Sequence, residues 1–292
     1  MIKLCTLFSG SSGNATFVGT DRVKLLVDAG RTAKDIEREL AAIGEDPREL
    51  DAVLVTHDHI DHIYGVGVLA RRYRVKIVAN ERTWAAMSDK LGRIDDTQRI
   101  VLSKNGGTAA ESEFSLGDLD IQAFPVPHDA AATVGYSFIG RRGKVTVATD
   151  TAYVTDELRR QCTGSSAVLL ESNHDIEMLK HGPYPQYLIA RIASKHGHMS
   201  NDDCAGFITE LAQSGTRAFI LGHLSKDNNL PELAFSAAAE ALGRAGIKLV
   251  EYGDIVPPDF FEGGAYAAGI GAERDAVLCV APRDGHGKVM LI

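Results

Sequence analysis

The sequence predicts an α/β protein of four layers, in which two β-sheets pack face to face and helices cover their outer faces. Two observations lead to this fold class. Each half of the chain begins with short strand-like runs and ends in helical spacing. Some of the runs, such as DAVLV at 51–55, are continuously apolar, which is typical of strands buried on both faces. We interpret residues 1–292 as one domain, because no linker or low-complexity segment divides them.

The first half of the chain alternates short apolar runs with helical spacing. The segment from Thr32 to Ile43 is predicted as a helix because Ile36, Leu40 and Ile43 recur at helical intervals and Thr32 suits an N-cap. The predicted strands here are 3–8, 15–19, 23–29, 51–55 and 75–79, and the other predicted helices lie near 63–73 and 81–91.

The second half repeats this pattern. A hairpin is predicted over 114–126 with Gly117 and Asp118 in its turn, and Ser200 is predicted to cap the helix that follows it. The further predicted strands are 134–139, 144–149, 167–172 and 217–222, and the predicted helices are 184–196, 201–213 and 231–245. The small-residue-rich stretch 262–275 is predicted as a mobile loop, and the tail 256–292 receives no structural assignment.

Composition limits the classes of function. A formal net charge of −8 argues against sequence-independent wrapping of nucleic acid, and the basic clusters at 71–74 and 141–144 are interpreted as solvated helix ends and turns. The four cysteines form no CxxC pair and are predicted to be reduced thiols. No apolar run is long enough to span a bilayer and no signal peptide is evident, so we expect a cytoplasmic protein without a membrane partner.

Three of the ten histidines lie in THDHIDH at 56–62, directly after a buried strand. His57 and His59 are two residues apart and can face one point, while Asp61 and His62 serve a neighbouring point. Imidazole and carboxylate together suit zinc or a similar divalent ion. Further ligand-type side chains also follow apolar strands, namely His128, Asp150 and His223. The set indicates a metal site at one sheet edge.

This order of residues resembles the metallo-β-lactamase superfamily, over roughly residues 1–255. The resemblance implies an αββα sandwich, in agreement with the predicted layers, and two divalent ions, zinc or manganese. It implies that the first ion is held by His57, His59 and His128, the second by Asp61, His62 and His223, and that Asp150 bridges them. Position 59 is histidine and not glutamate, and in this respect the motif resembles that of the hydrolases and not that of the flavodiiron oxidoreductases.

Charge favours a phosphodiester as substrate. Two divalent ions carry four positive charges, and Asp61, Asp150 and a metal-bridging hydroxide offset three of them, which leaves a site that suits an anion. The strings ESNHD at 171–175 and GHMSNDD at 197–203 resemble the ribonuclease Z branch, in which a glutamate and a histidine lie beside the metals. We therefore expect His198, held by Glu171, to donate a proton to the departing oxygen, with Asp61 as the third catalytic residue.

Longer strings narrow the resemblance further. GSSGNATFVG at 10–19, LLVDAG at 25–30, PHDA at 127–130, ESNHD and GHLSKDNN at 222–229 are similar to the YycJ/WalJ family of bacterial metallo-hydrolases. That resemblance implies a 5′→3′ DNA exonuclease linked to DNA repair, acting on the 5′ end of single- or double-stranded DNA. The interval from Asp150 to His223 also leaves no room for the extra domain of ribonuclease J-type enzymes.

Four residues are weaker candidates for contacts with substrate: His174, Ser225, Lys226 and Asn228. Asp58 is expected to orient a neighbouring imidazole. GHMSNDD and GHLSKDN share a local pattern but are not interpreted as a repeat, because His223 follows a strand and His198 lies between helices. The alternatives are a thioester or small-ester hydrolase on the same metals, an RNA-processing nuclease, and a non-catalytic regulatory or binding protein that keeps the fold.

Overall fold

The structure is a computed structural model that describes residues 1–102, 112–250 and 275–292. The predicted loop at 262–275 lies outside the described residues except for its last position. Strands and helices are numbered along the chain. Within the described ranges, no helix is long and apolar enough to cross a membrane. All four cysteines fall in those ranges and carry free thiols, as predicted.

Over the described residues, the first sheet has seven strands. They are β1 (Lys3–Phe8), β2 (Ala15–Gly19), β3 (Lys24–Val27), β4 (Ala52–Leu54), β5 (Lys76–Asn80), β6 (Arg99–Leu102) and β15 (Met290–Leu291). Their order is β15-β1-β2-β3-β4-β5-β6. β15, β1, β2 and β3 pair antiparallel, and β3 to β6 pair parallel. The parallel half places the carboxyl ends of β3 and β4 side by side.

The second sheet has eight strands in the part of the chain that is described. They are β7 (Ser112–Leu116), β8 (Leu119–Pro125), β9 (Val134–Ile139), β10 (Lys144–Ala148), β11 (Ala167–Glu171), β12 (Ala218–Gly222), β13 (Lys248–Leu249) and β14 (Asp275–Val280). Their order is β13-β14-β12-β11-β10-β9-β8-β7. The neighbouring strands β10, β11, β12, β14 and β13 all pair parallel. β10, β11 and β12 therefore also end at one common edge.

The described residues also form α-helices, which lie between strands along the chain. They are α1 (Ala33–Ala42), α2 (Ile60–Ile63), α3 (Val66–Tyr73), α4 (Glu81–Leu91), α5 (Asp156–Cys162), α6 (Ile176–His181), α7 (Gln186–Ile192), α8 (Asn201–Gln213) and α9 (Pro231–Arg244). Thr32 and Ser200 accept capping hydrogen bonds from backbone N–H groups, as predicted. The single helix predicted over 184–196 is wrong in extent. The helix found there is α7, which ends at Ile192, and α6, which was not predicted, precedes it. The prolines of GPYP at 182–185 separate the two helices.

The four predicted layers are confirmed by three apolar clusters. In β4, Ala52 and Leu54 face the core between the sheets, while Val53 packs toward the helices outside the first sheet. The same division holds in β11, where Leu169 belongs to the inter-sheet core and Leu170 packs toward the helices of the second sheet. Because successive side chains of a strand point to opposite faces, a continuously apolar run is required at such positions.

The C-terminal residues contribute to both sheets. β14 lies parallel to β12, and β15 pairs with β1. The sequence pattern assigned no structure to 256–292, and the described part, 275–292, supplies one strand to each sheet. These strands pair with segments that are distant along the chain, so local periodicity does not reveal them.

Candidate active site

The predicted metal ligands converge at the edge where the strands end. Ligand atoms of His57, His59 and His128 lie within 4.8 Å of one another, and so do those of Asp61, His62 and His223. Asp150 lies between the two groups. Its Oδ1 is 3.7 Å from His128 Nε2 and 3.4 Å from His223 Nε2, and its Oδ2 is 3.2 Å from His62 Nε2. The structure therefore brings together all seven residues that were predicted from the sequence as candidate metal ligands.

Buried atoms without partners show that this group of side chains fits metal ions. His57 Nε2 and His223 Nε2 are both buried and make no hydrogen bond. A buried nitrogen without a partner is costly and uncommon in folded proteins. The other nitrogen of each ring is engaged, since His57 Nδ1 lies 2.9 Å from Thr56 Oγ1 and His223 Nδ1 lies 2.9 Å from Glu171 Oε1. Each ring is thus held by one nitrogen and offers the other to a cation.

Backbone strain occurs at three residues that follow strands. Asp28, Asp150 and His223 have φ values of 61°, 55° and 55°, in the left-handed region that side chains other than glycine rarely adopt. Asp28 and His223 follow β3 and β12 directly, and Asp150 follows β10 after one intervening residue. Each such residue costs roughly 1–3 kcal/mol, and such strain clusters at functional sites. The left-handed turn aims each of these side chains across the end of its sheet.

Asp28 orients the ligand His62, a role that was not predicted. Asp28 Oδ2 lies 2.7 Å from His62 Nδ1 and accepts a hydrogen bond of 2.7 Å from the hydroxyl of Thr56. Its other oxygen accepts from the backbone N–H of Thr56 at 2.8 Å. A signal was present in the sequence, because Asp28 follows the apolar residues LLV at 25–27, although the predicted strand 23–29 included Asp28.

Glu171 connects the metal ligands to a histidine that is not one of the seven. Its Oε1 lies 2.7 Å from His198 Nδ1 and 2.9 Å from His223 Nδ1, and its Oε2 accepts from the backbone N–H of Thr151 at 2.7 Å. Burial alone would raise the pKa of Glu171, but His198 and its other partners outweigh burial and lower the pKa to about 2. Glu171 is therefore an ionised carboxylate shared by two imidazoles.

His198 is more exposed than the neighbouring His223. Its side chain is 21% exposed, whereas that of His223 is 3% exposed. Burial disfavours its charged form, but the Glu171 carboxylate outweighs burial and raises the pKa of His198 above 6.5. With Nδ1 held by Glu171, Nε2 is the nitrogen that can reach a ligand. The arrangement supports a protonated imidazole beside the metal ligands, which is the requirement for a general acid.

Comparison with known proteins agrees with this geometry. A family model described as the beta-lactamase superfamily domain matches residues 24–224. Exodeoxyribonuclease WalJ of Streptococcus pneumoniae is 42% identical over 247 residues, which cover 84% of this chain and 90% of that protein. Exodeoxyribonuclease YycJ of Bacillus anthracis is 39% identical over 258 residues, covering 88% and 96%. The chain belongs to the WalJ/YycJ family of the beta-lactamase superfamily.

Solved structures support the same fold. The metallo-beta-lactamase fold protein YhfI from Bacillus subtilis aligns with a TM-score of 0.64 over 99% of this chain and 100% of that chain. The two sequences are 13% identical, so this likeness concerns the fold alone. The predicted αββα sandwich and the resemblance to the WalJ/YycJ family are both confirmed.

The four candidate substrate contacts of this WalJ/YycJ chain have different environments. Ser225 lines a cavity of about 170 Å³ together with His198 and His223. Lys226 is exposed, while His174 and Asn228 are buried at 4% and 0% exposure. Ser225 is thus the one of the four that lines the cavity, whereas His174 Nδ1 and both polar side-chain atoms of Asn228 are buried without a hydrogen-bond partner in the described part of the chain.

The expected contact between Asp58 and an imidazole is not found among the described residues. Asp58 Oδ2 lies 3.2 Å from Lys90 Nζ, and its Oδ1 accepts from the backbone N–H of Ala131 at 3.2 Å. The ligand ring of His128 is instead held by the carbonyl of Gly197, 3.1 Å from its Nδ1. Asp58 therefore ties the ligand loop to neighbouring segments and does not orient a ring.

A larger cavity of about 520 Å³ lies at the opposite edge of the second sheet, near the turn between β9 and β10. It is lined by residues of both charge signs, including Asp21, Asp118, Arg141 and Arg142, and by no histidine. Its lining thus offers carboxylates but none of the imidazoles found among the candidate metal ligands. The basic cluster at 141–144 thus begins in the turn between β9 and β10, as expected from the sequence.

Proposed function

We propose that the chain is a metal-dependent nuclease that degrades DNA from the 5′ end. The observation that carries this proposal is the shared Glu171 carboxylate, which holds His198 beside the converging metal ligands. Exodeoxyribonuclease relatives that match most of the chain support DNA as the substrate. The 5′→3′ direction and a role in DNA repair rest on the WalJ/YycJ resemblance.

Two divalent ions, zinc or manganese, would be held by the seven ligands and, when bound, would activate the attacking water and offset the charge of the phosphodiester. The residues of the chain supply the rest. His198 Nε2 donates a proton to the departing oxygen, and Glu171 stabilises the charged imidazole before the transfer. Asp61, 22% exposed and 3.8 Å from His223 Nε2, completes the second group of ligands at the open side of the site.

The presence of a proton donor favours an oxygen leaving group over a sulfur one. A sugar alkoxide is strongly basic and needs a proton as it departs, whereas a thiol has a pKa near 8.5 and leaves readily as thiolate. A thioesterase on these ligands would therefore gain little from the Glu171–His198 pair. This comparison supports the nuclease over the thioester hydrolase, and the intact ligand set argues against a non-catalytic binding protein.

We extend the proposal to a cytoplasmic location, because four free thiols suit a reducing compartment. A net charge of −8 also indicates that the substrate is gripped locally, at the site, and not wrapped by a basic surface.

The experiment is a time course on duplex and single-stranded DNA that carries a 3′ label and a 5′ phosphate, with RNA and S-acylglutathione in parallel. The proposal predicts a progressively shortening ladder on DNA. A single internal cut, faster cleavage of RNA, or hydrolysis of the thioester with intact DNA would each contradict it.

A further inference from the structure

The cavity beside His198 is small and has a defined wall. It measures about 170 Å³, and its outer wall is formed by the segment that carries α7, including Tyr184, Leu188 and Ile192. The opposite side includes His198 and His223, the latter a predicted metal ligand, and Ser225 adds a hydroxyl. The cavity thus combines the apolar side chains of this wall with polar ones, which also include Asp129, Asn173 and Arg191.

Contacts on both sides hold this wall in place. The hydroxyl of Tyr184 donates to Asp227 Oδ2 at 2.9 Å. Arg191, at the end of α7, binds Asp129 through Nε and Nη2, both at 2.5 Å, and Asp129 directly follows the metal ligand His128. The wall is therefore tied to the two loops that carry His128 and His223.

The position of the cavity identifies which part of a substrate enters it. If His198 protonates the departing oxygen, the group that occupies space beside His198 belongs to the leaving nucleoside. For the 3′ oxygen to leave, that nucleoside must lie on the 5′ side of the bond that is cut. A chain that is degraded from its 5′ end meets this condition with its terminal nucleotide in the cavity.

The volume limits how much of the strand can enter. A cavity of about 150 Å³ accommodates one benzene ring. A space of about 170 Å³ therefore holds one ring-sized unit of a nucleotide, with the rest of that nucleotide at the open side. It is too small for a second nucleotide to follow the first.

Resting on the proposed nuclease function, we infer that this cavity is a subsite for a single unpaired terminal nucleotide, with Leu188 and Tyr184 as its specificity-determining wall. The enzyme then releases mononucleotides one at a time. In each step the water oxygen bonds to phosphorus, the bond from phosphorus to O3′ breaks, and O3′ takes a proton from His198. One proton of the water restores His198 through solvent, and the other stays with the product phosphate or ionises.

The products of that step are a nucleoside 5′-phosphate with a free 3′ hydroxyl and a strand shortened by one nucleotide with a new 5′ phosphate. Duplex ends must open by one base pair before each step. A base that carries a bulky dye at the 5′ terminus does not fit the cavity and should block degradation.

The test compares Leu188→Trp, which fills the cavity, with Tyr187→Trp on the same helix, where the side chain is 76% exposed and does not line the cavity. Wild type and Tyr187→Trp should release only mononucleotides at similar rates. Leu188→Trp should lower the rate on DNA roughly 10-fold or more relative to its rate on methyl nitrophenyl phosphate. Metal content and circular dichroism show whether the variant is folded.

Leu188→Ala provides an independent readout, because it enlarges the cavity. The ratio of its degradation rate on the strand with the dye-bearing 5′ base to its rate on the unmodified strand should exceed the wild-type ratio by at least about 10-fold. Dinucleotides or longer fragments as the main wild-type products would overturn the single-nucleotide subsite, as would equal effects of Leu188→Trp and Tyr187→Trp. Absence of any DNA degradation by wild type would instead overturn the proposed function, and the subsite with it.

Discussion

Two buried carboxylates, one at the strand ends of each sheet, hold the two histidines of the second group of predicted metal ligands. Asp28 follows β3 and lies 2.7 Å from His62 Nδ1, and Glu171 ends β11 and lies 2.9 Å from His223 Nδ1. Neither carboxylate is itself one of the seven ligands predicted from sequence. The same device, a carboxylate behind an imidazole, is therefore built twice from distant parts of the chain.

The two carboxylates differ in what else they contact. The remaining bonds of Asp28 go to Thr56, and burial raises the pKa of Asp28 against the opposing effect of His62. Glu171 shares one oxygen with His198, and its pKa lies at about 2. Asp28 thus contacts one predicted metal ligand, His62, whereas Glu171 connects the predicted metal ligand His223 to the proposed proton donor His198. Variants at the two sites should therefore fail in different ways.

The largest effect should follow removal of the ions. A chelator should abolish phosphodiesterase activity, and Mn²⁺ or Zn²⁺ should restore it, because the unpaired nitrogens of His57 and His223 face the site. His223→Ala should lower the metal content from two ions per chain, measured by elemental analysis, with activity lost. Full activity with a single tightly bound ion would contradict the two-ion account.

Glu171→Gln should cost roughly 10²–10⁴-fold in the rate of DNA cleavage, because His198 loses the group that stabilises its charged form. The loss should not add to that of His198→Ala, since the carboxylate acts through His198. Excess metal should leave most of the defect in place. Strictly additive losses in the double variant would show that the two residues act separately.

Asp28→Asn should weaken metal binding by about 10–100-fold, the range for removing a carboxylate behind a ligand histidine. Its activity should recover when metal is added in excess, in contrast to Glu171→Gln. Metal titrations monitored by activity and by calorimetry measure both quantities. A rate defect that persists at saturating metal would place Asp28 in the proton-transfer apparatus and remove the difference between the two carboxylates.

A smaller effect concerns pH. The pKa of His198 is raised above 6.5, since the Glu171 carboxylate outweighs the effect of burial, so the proton donor is charged below that raised pKa. The rate should fall as pH rises through it. Glu171→Gln removes the raising interaction, so the falling limb should move to lower pH. Rate profiles of the two proteins at saturating metal test the shift, and coincident limbs would contradict it.

Local order in the sequence was sufficient to predict which candidate ligands lie close together. His57, His128 and His223 each follow an apolar strand, and parallel strands bring such positions to one edge. The role of Asp28 needed a contact across 34 residues, to His62. The dual contact of Glu171 depends on the register that places it beside Gly222, which local periodicity does not contain.

The strings GHMSNDD and GHLSKDN show the same limit. Their shared letters do not distinguish the two histidines, but their contexts do, since His223 follows β12 and His198 precedes α8. The structure adds that both rings bind one carboxylate oxygen, and that they stack with centroids 5.3 Å apart. Such sharing is a property of tertiary contacts and not of either string.

The different roles proposed for His198 and His223 are tested most directly by measuring how the rate loss of His198→Ala depends on the leaving group of the substrate. The variant should keep both metals and lose roughly 10²–10⁴-fold in rate on DNA, whose departing oxygen needs a proton. On a nitrophenyl phosphodiester, which has a good leaving group, the same variant should lose far less. If His198→Ala instead loses a metal ion, or if both substrates suffer equally, His198 is not the proton donor.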